Sequence, residues 1–121
     1  MSEKKHIFNA KHVAIIGLGL IGGSVARGIY RAGFRGELVG AVENEADVKR
    51  ALTLGLVDAC HTDIASAVGQ ADLIVVAVPP AALTEVLKQI AAHAPRDAII
   101  TDTGSSKQSV VALAQAHLAD R

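Results

Sequence analysis

Val13-Ala14-Ile15-Ile16-Gly17-Leu18-Gly19-Leu20-Ile21-Gly22 sets the architecture of this chain. Its first four residues are apolar and three of them are β-branched, which suits a strand buried on both faces. Gly17, Gly19 and Gly22 follow at the spacing G-x-G-x-x-G. Ile21, Val25, Ala26 and Ile29 then recur at helical intervals. The reading is a strand, a tight turn and a helix with no linker between them.

That order gives the glycines a chemical meaning. Gly17 permits the turn, Gly19 lets the backbone approach a pyrophosphate, and Gly22 lets the helix lie close to the strand. The unsatisfied amides at the helix start, those of Leu20, Ile21 and Gly22, then face an anion with the helix dipole behind them. A mononucleotide phosphate loop is disfavoured, because it requires Lys and Ser/Thr after its last glycine, and Gly23-Ser24 follows here.

Outward from the turn, strands and helices alternate. Residues 37–42 read as a second strand, and 45–54 as a helix closed by Gly55. A short strand is expected at 58–61 and a short helix at 64–68. Leu73-Ile74-Val75-Val76-Ala77-Val78 is the most strand-like run in the chain. Pro79-Pro80 ends it, and Leu83, Val86, Leu87 and Ile90 mark the helix that follows. A fifth strand is expected at 98–101 and a last helix at about 106–118. Alternation of this kind requires parallel strands joined by crossover helices. The expected fold is an α/β doubly wound sheet of the Rossmann type, three-layered, with five strands in the order 3-2-1-4-5. Residues 1–11 read as a polar tail and 12–121 as one domain.

Bulk properties agree. A chain of 121 residues suits one domain. Half of it is hydrophobic, yet Phe8, Tyr30 and Phe34 are the only aromatics, so the core must be aliphatic. Lys and Arg number 12 and Asp and Glu also 12. This balance gives no drive toward nucleic acid or an anionic membrane. No apolar run is long enough to span a bilayer, and the polar start does not read as a secretory signal. The single cysteine, Cys60, has no internal disulfide partner and no ligand cluster around it. A reduced, cytoplasmic setting and no metal are expected.

The ribose of a dinucleotide is usually read by an acidic residue at the end of the second strand, about 20 residues past the glycines. Glu43 is 21 residues past Gly22. Its carboxylate would accept hydrogen bonds from ribose hydroxyls and repel a 2′-phosphate, favouring NAD over NADP. A solvent-exposed surface Glu is the plain alternative, since Glu45 and Asp47 stand nearby.

With these elements in place, several strings together resemble the prephenate and arogenate dehydrogenases. They are the run from Val13 to Ser24; Ala51-Leu52-Thr53-Leu54-Gly55-Leu56-Val57-Asp58; Ala71-Asp72 through Val78-Pro79-Pro80; and Asp102-Thr103-Gly104-Ser105-Ser106-Lys107. The resemblance runs from about His12 onward. It implies an NAD(P)-linked oxidoreductase that oxidises a ring hydroxyl with loss of carbon dioxide, in tyrosine biosynthesis. It also implies cofactor contacts at Val78 and Pro79 beside the glycine turn. Ser105 is placed near the nicotinamide and the substrate, a role compatible with capping the helix after it.

The chain departs from the family's pattern in two respects. The strand-end Asp of the family falls at Val42, one place before Glu43. The family's catalytic His comes later than Arg121, as does the helical domain that supplies substrate contacts and the homodimer interface. None of His6, His12, His61, His93 and His117 occupies the matching segment, so these 121 residues alone are expected to hold cofactor without turnover. Two alternatives share the cofactor domain: another β-hydroxyacid- or imine-type reductase, and a stand-alone nucleotide-binding or redox-sensing module.

Overall fold

The computed structural model describes residues 11–102. The helix expected at about 106–118, with Ser105 and Lys107, lies outside the described residues. Nine elements alternate: β1 (His12–Ile16), α1 (Leu20–Arg31), β2 (Glu37–Ala41), α2 (Glu45–Thr53), β3 (Ala59–His61), α3 (Ile64–Val68), β4 (Leu73–Val76), α4 (Pro80–His93) and β5 (Ile99–Asp102). All strand pairs are parallel and the order is β3-β2-β1-β4-β5. The expected topology is therefore the observed one. The expected bounds shift by at most two residues. The second strand ends at Ala41, although Val42 N–H still bonds the His61 carbonyl at 2.9 Å.

Strand periodicity separates the core into two layers. Val13, Ile15, Leu38, Leu73 and Val75 face one side, where they meet Ala26 and Ile29 of α1 and Ala51 of α2. Ala14, Ile16, Val39, Ala41, Ile74 and Val76 face the other, against Ala67 and Val68 of α3 and Val86, Leu87 and Ile90 of α4. Small residues on both layers let helices lie close to the sheet. The core is mostly aliphatic, with Ile15, Leu38, Ile74, Leu87 and Ile90 among its largest fully buried side chains. Phe34 is also buried in the layer of α1 and α2, and Tyr30 packs against that layer, an exception to the expected aliphatic core.

Local chemistry fixes the helix starts. The Asn44 side chain caps α2 by accepting from Asp47 N–H at 2.9 Å, and Asp63 caps α3 by accepting from Ser66 N–H at 2.8 Å. Pro79 is extended, as a residue before proline must be, and Pro80 then opens α4 where a missing N–H costs nothing.

Two carboxylates tie down the amino-terminal side of the sheet. Asp72 accepts from Lys11 and His12 N–H at 2.8 and 3.0 Å. The Lys11 amide is the main cause that holds its carboxyl below the usual range, with His12 adding to it. Its stabilisation is thus present at neutral pH and lost as pH falls through the depressed native value. Asp58 accepts from Leu38 N–H at 2.8 Å and also from the Tyr30 hydroxyl, joining the end of α1 to β2.

Burial, then the Asp58 charge and hydrogen bond, push Tyr30 up from 10.0 to about 12. The native state holds this proton more tightly than the unfolded chain. Its contribution is therefore complete below pH 10 and is lost as pH rises through about 12. Tyr30 is the only tyrosine and there is no tryptophan, so tyrosinate absorbance reports it alone. The expected midpoint in the folded protein is near 12, and Asp58→Asn should lower it. A midpoint at the ordinary 10.0 would mean that Tyr30 is neither buried nor in contact with Asp58.

Candidate functional site

The strand register places Ile16, Ala41, His61, Val76 and Asp102 in one row, so all five strands end at a common carboxyl edge. β1 and β4 are neighbours there although the chain runs away from β1 to β2 and β3 before it returns to β4. The helices that follow them pack on opposite faces of the sheet, α1 in one layer and α4 in the other. A switch point of this kind leaves the crevice that is the usual ligand site of an open parallel sheet. The loop after β1 is the glycine turn. The loop after β4 is Ala77-Val78-Pro79.

Hydrogen bonds extend the ladder into both loops: Gly17 N–H donates to the Ala41 carbonyl and Ala77 N–H to the Ile16 carbonyl, each at 2.8 Å. The turn is then forced close to the second loop. Gly17 adopts φ +91°, and a Cβ there would stand 2.5 Å from the Ala77 carbonyl oxygen and 3.3 Å from Val78 Cγ1. A Cβ on Gly22 would overlap the Gly17 carbonyl oxygen. These two glycines are required by the protein itself.

Gly19 is different. Its backbone is extended, with φ −71° and ψ −155°, and a Cβ there would meet nothing within 4 Å. Nothing in the described protein demands a glycine at this point, so the space it opens suits a group from outside. Gly19 is also the N-cap of α1, without a side-chain cap or an acidic residue in the first turn. The first helical bond runs from Gly23 N–H to the Gly19 carbonyl at 2.8 Å. The amides of Leu20, Ile21 and Gly22 precede it and have no acceptor within the helix. An anion beside Gly19 would meet these donors and the positive end of the helix dipole.

Sequence reasoning misses the partner of Leu18. A Cβ on Gly40, in β2, would lie 2.5 Å from Leu18 Cδ1 and 3.4 Å from Cys60 Sγ. Gly40 is thus the seat into which Leu18 packs, anchoring the turn over β2. A glycine inside a strand signals such close approach, and that is the cue by which the sequence could have shown it.

The remaining candidates are distributed as follows. Val78 is half-buried next to Gly17, and Pro79 is exposed at the start of α4. Glu43 is exposed just beyond the end of β2. Asp102 ends β5 at the same carboxyl edge, and Ser105 follows outside the described residues. His12 sits at the opposite edge with its Nδ1 3.2 Å from Glu37 Oε1. His61 ends β3, with β2 between it and β1, and His93 is exposed at the end of α4. Burial is the main cause that raises the half-buried Cys60 thiol. A cavity of about 420 Å³ lies along β3 and α3, lined among others by Val39, Ala59, His61 and Ser66, and none of its lining belongs to the glycine turn.

Residues 25–121 match the family model described as prephenate dehydrogenase, nucleotide-binding domain. The chain belongs to this family. The glycine turn lies just ahead of the matched residues, but relatives extend across most of the chain. A cyclohexadienyl dehydrogenase of Zymomonas mobilis is 44% identical over 110 residues, covering 89% of this chain and 37% of the relative. A prephenate dehydrogenase of Lactococcus lactis is 40% identical over 105 residues, covering 86% and 29%. The crystal structure of Aquifex aeolicus prephenate dehydrogenase with hydroxyphenyl propionate and NAD+ superposes with a TM-score of 0.81 at 30% identity. It covers 92% of this chain and 39% of that one. The chain spans about a third of the length of these curated relatives. Among the described residues, no helix is long and apolar enough to cross a membrane.

Proposed function

We propose that this chain is the NAD-binding part of a prephenate or arogenate dehydrogenase, and that NAD lies across the carboxyl edge with its pyrophosphate beside Gly19. The open space at Gly19, at the uncapped start of α1, is the observation that carries this reading. Family membership and the similarity to an NAD+ complex support it.

The amides of Gly19, Leu20, Ile21 and Gly22 hold the pyrophosphate, and Gly17 lets the turn bring them there. Leu18, seated on Gly40, fixes the turn over β2. Val78 and Pro79 wall the crevice on the β4 side, where the nicotinamide end runs toward β5. β5 ends at that edge with Asp102, and Ser105, three residues later in the sequence, is the candidate for contact with nicotinamide and substrate. When bound, the cofactor supplies the acceptor for the hydride of the substrate ring. The protein's part is to bind and orient it. Prephenate or arogenate is the proposed substrate of the whole protein.

Calorimetric titration of the chain with NADH tests this reading. Saturable one-to-one binding is expected. Absence of heat at about millimolar cofactor, a level at which binding energies are only some 4 kcal/mol, in a sample that is folded by circular dichroism, would remove it.

A further inference from the structure

The ribose end of the proposed site falls at Val42 and Glu43, where β2 gives way to the bend before α2. Val42 is still in the β ladder through its bond to the His61 carbonyl. Strand alternation therefore puts its side chain on the face of Leu38 and Gly40. Leu38 packs in the layer of α1 and α2, and the Cβ direction at Gly40 runs into Leu18 of the glycine turn. Position 42 thus projects on the glycine-turn face, half-buried, while Glu43 lies in the bend beyond the ladder and is exposed.

We propose that Val42, not Glu43, meets the 2′ position of the adenosine ribose, so that the site takes NAD and NADP with similar affinity. This rests on the nucleotide-binding reading above. Val42 stands 20 residues past Gly22, the spacing at which a ribose-reading carboxylate is expected. A valine offers no acceptor to the ribose hydroxyls and no charge against a 2′-phosphate.

What negative charge remains nearby is peripheral. Glu45 and Asp47 lie in the first turn of α2, with Glu43 just before them. They add to burial in raising the Cys60 thiol, which places their field near Gly40. Glu43 and Glu45 are exposed and Asp47 only half-buried. Lys49 and Arg50 on the same helix oppose them. Exposed charges of this kind act through water, where their interactions are weak even at short range, and are screened further by salt. Any preference for NAD is therefore small and fades with salt.

The test is a set of titrations of the 121-residue chain with NAD and with NADP, at about 0.05 and about 0.5 M salt. Four proteins are compared: the parent, Val42→Asp, Val42→Asn and Glu43→Gln. The parent is expected to bind the two cofactors within about tenfold of each other, with the ratio closer to one at high salt. Val42→Asp should raise the NAD to NADP ratio by about tenfold or more, the loss falling on NADP through like-charge juxtaposition. Val42→Asn, similar in size but uncharged, should keep NADP bound, and Glu43→Gln should leave the ratio nearly unchanged.

Rejection of NADP by the parent by more than about 100-fold at both salts overturns the proposal. So does a ratio that collapses in Glu43→Gln. The parent ratio decides even if Val42→Asp does not fold. Binding of neither cofactor by the folded parent removes the nucleotide-binding reading itself, and this proposal with it.

Discussion

Gly19→Val is expected to weaken NAD binding by at least about 100-fold, close to 3 kcal/mol, while leaving the melting temperature within a few degrees of the parent. The two halves of this result have separate causes. The backbone at Gly19 is extended, so a β-branched residue fits it without strain, and its Cβ meets no protein atom within 4 Å. The fold therefore loses little. The same open space is where the pyrophosphate must approach the amides of α1. A valine side chain there occupies the anion's volume and blocks the donors behind it. Calorimetry and a thermal melt on one preparation read both halves. Undiminished binding would place the pyrophosphate elsewhere, and a large fall in melting temperature would mean that Gly19 serves the fold.

Two residues earlier the outcome should invert. Gly17→Val is expected to destabilise the protein by about 2–6 kcal/mol, because a β-branched residue at positive φ is strained and its side chain is overpacked. The φ of +91° is the first cost, and a Cβ placed 2.5 Å from the Ala77 carbonyl oxygen is the second. Relief would require β1 and β4 to separate, breaking bonds such as Ala77 N–H to the Ile16 carbonyl. Domains of this size have only about 5–15 kcal/mol of stability, so the variant should melt far below the parent or fail to fold. Denaturant unfolding measures it. A stability unchanged within about 0.5 kcal/mol, the range of ordinary surface substitutions, would contradict the turn geometry. The contrast between neighbouring glycines is more informative than either variant alone, since a generic loss of glycine would affect both in the same way.

Much of this architecture is legible in the amino-acid sequence. The run from Val13 to Ile29 carries an apolar strand signal, then glycines, then a helical period, and only one local arrangement satisfies all three. Leu73-Ile74-Val75-Val76 is apolar at every position because both faces are covered, as the two core layers show. That the strands are parallel follows from the alternation of elements, since parallel strands need crossovers, and their order from the doubly wound type that the glycine turn marks. Residue spacing alone does not assign the roles of the individual glycines. Gly17 and Gly22 are constrained by contacts with Ala77 and with each other, which are tertiary facts. The strand-end acid is harder still. Counting residues favours Glu43 or Val42 almost equally, and the choice depends on whether the ladder continues one residue past Ala41. The bond from Val42 N–H to the His61 carbonyl fixes the parity there. Because it joins the ends of β2 and β3, whose pairing is set across 20 residues of chain, no local window contains it.

The most direct test of where the nucleotide lies is amide chemical-shift mapping of the isotopically labelled chain during titration with NAD. The largest shifts are expected at the amides of Gly17 through Gly23, at Val42, and at Ala77 and Val78 across the crevice. Amides of Val39, Ala59 and Ser66, beside the cavity along β3 and α3, should move little. Shifts centred on that cavity, with the glycine turn unmoved, would contradict binding at the carboxyl edge.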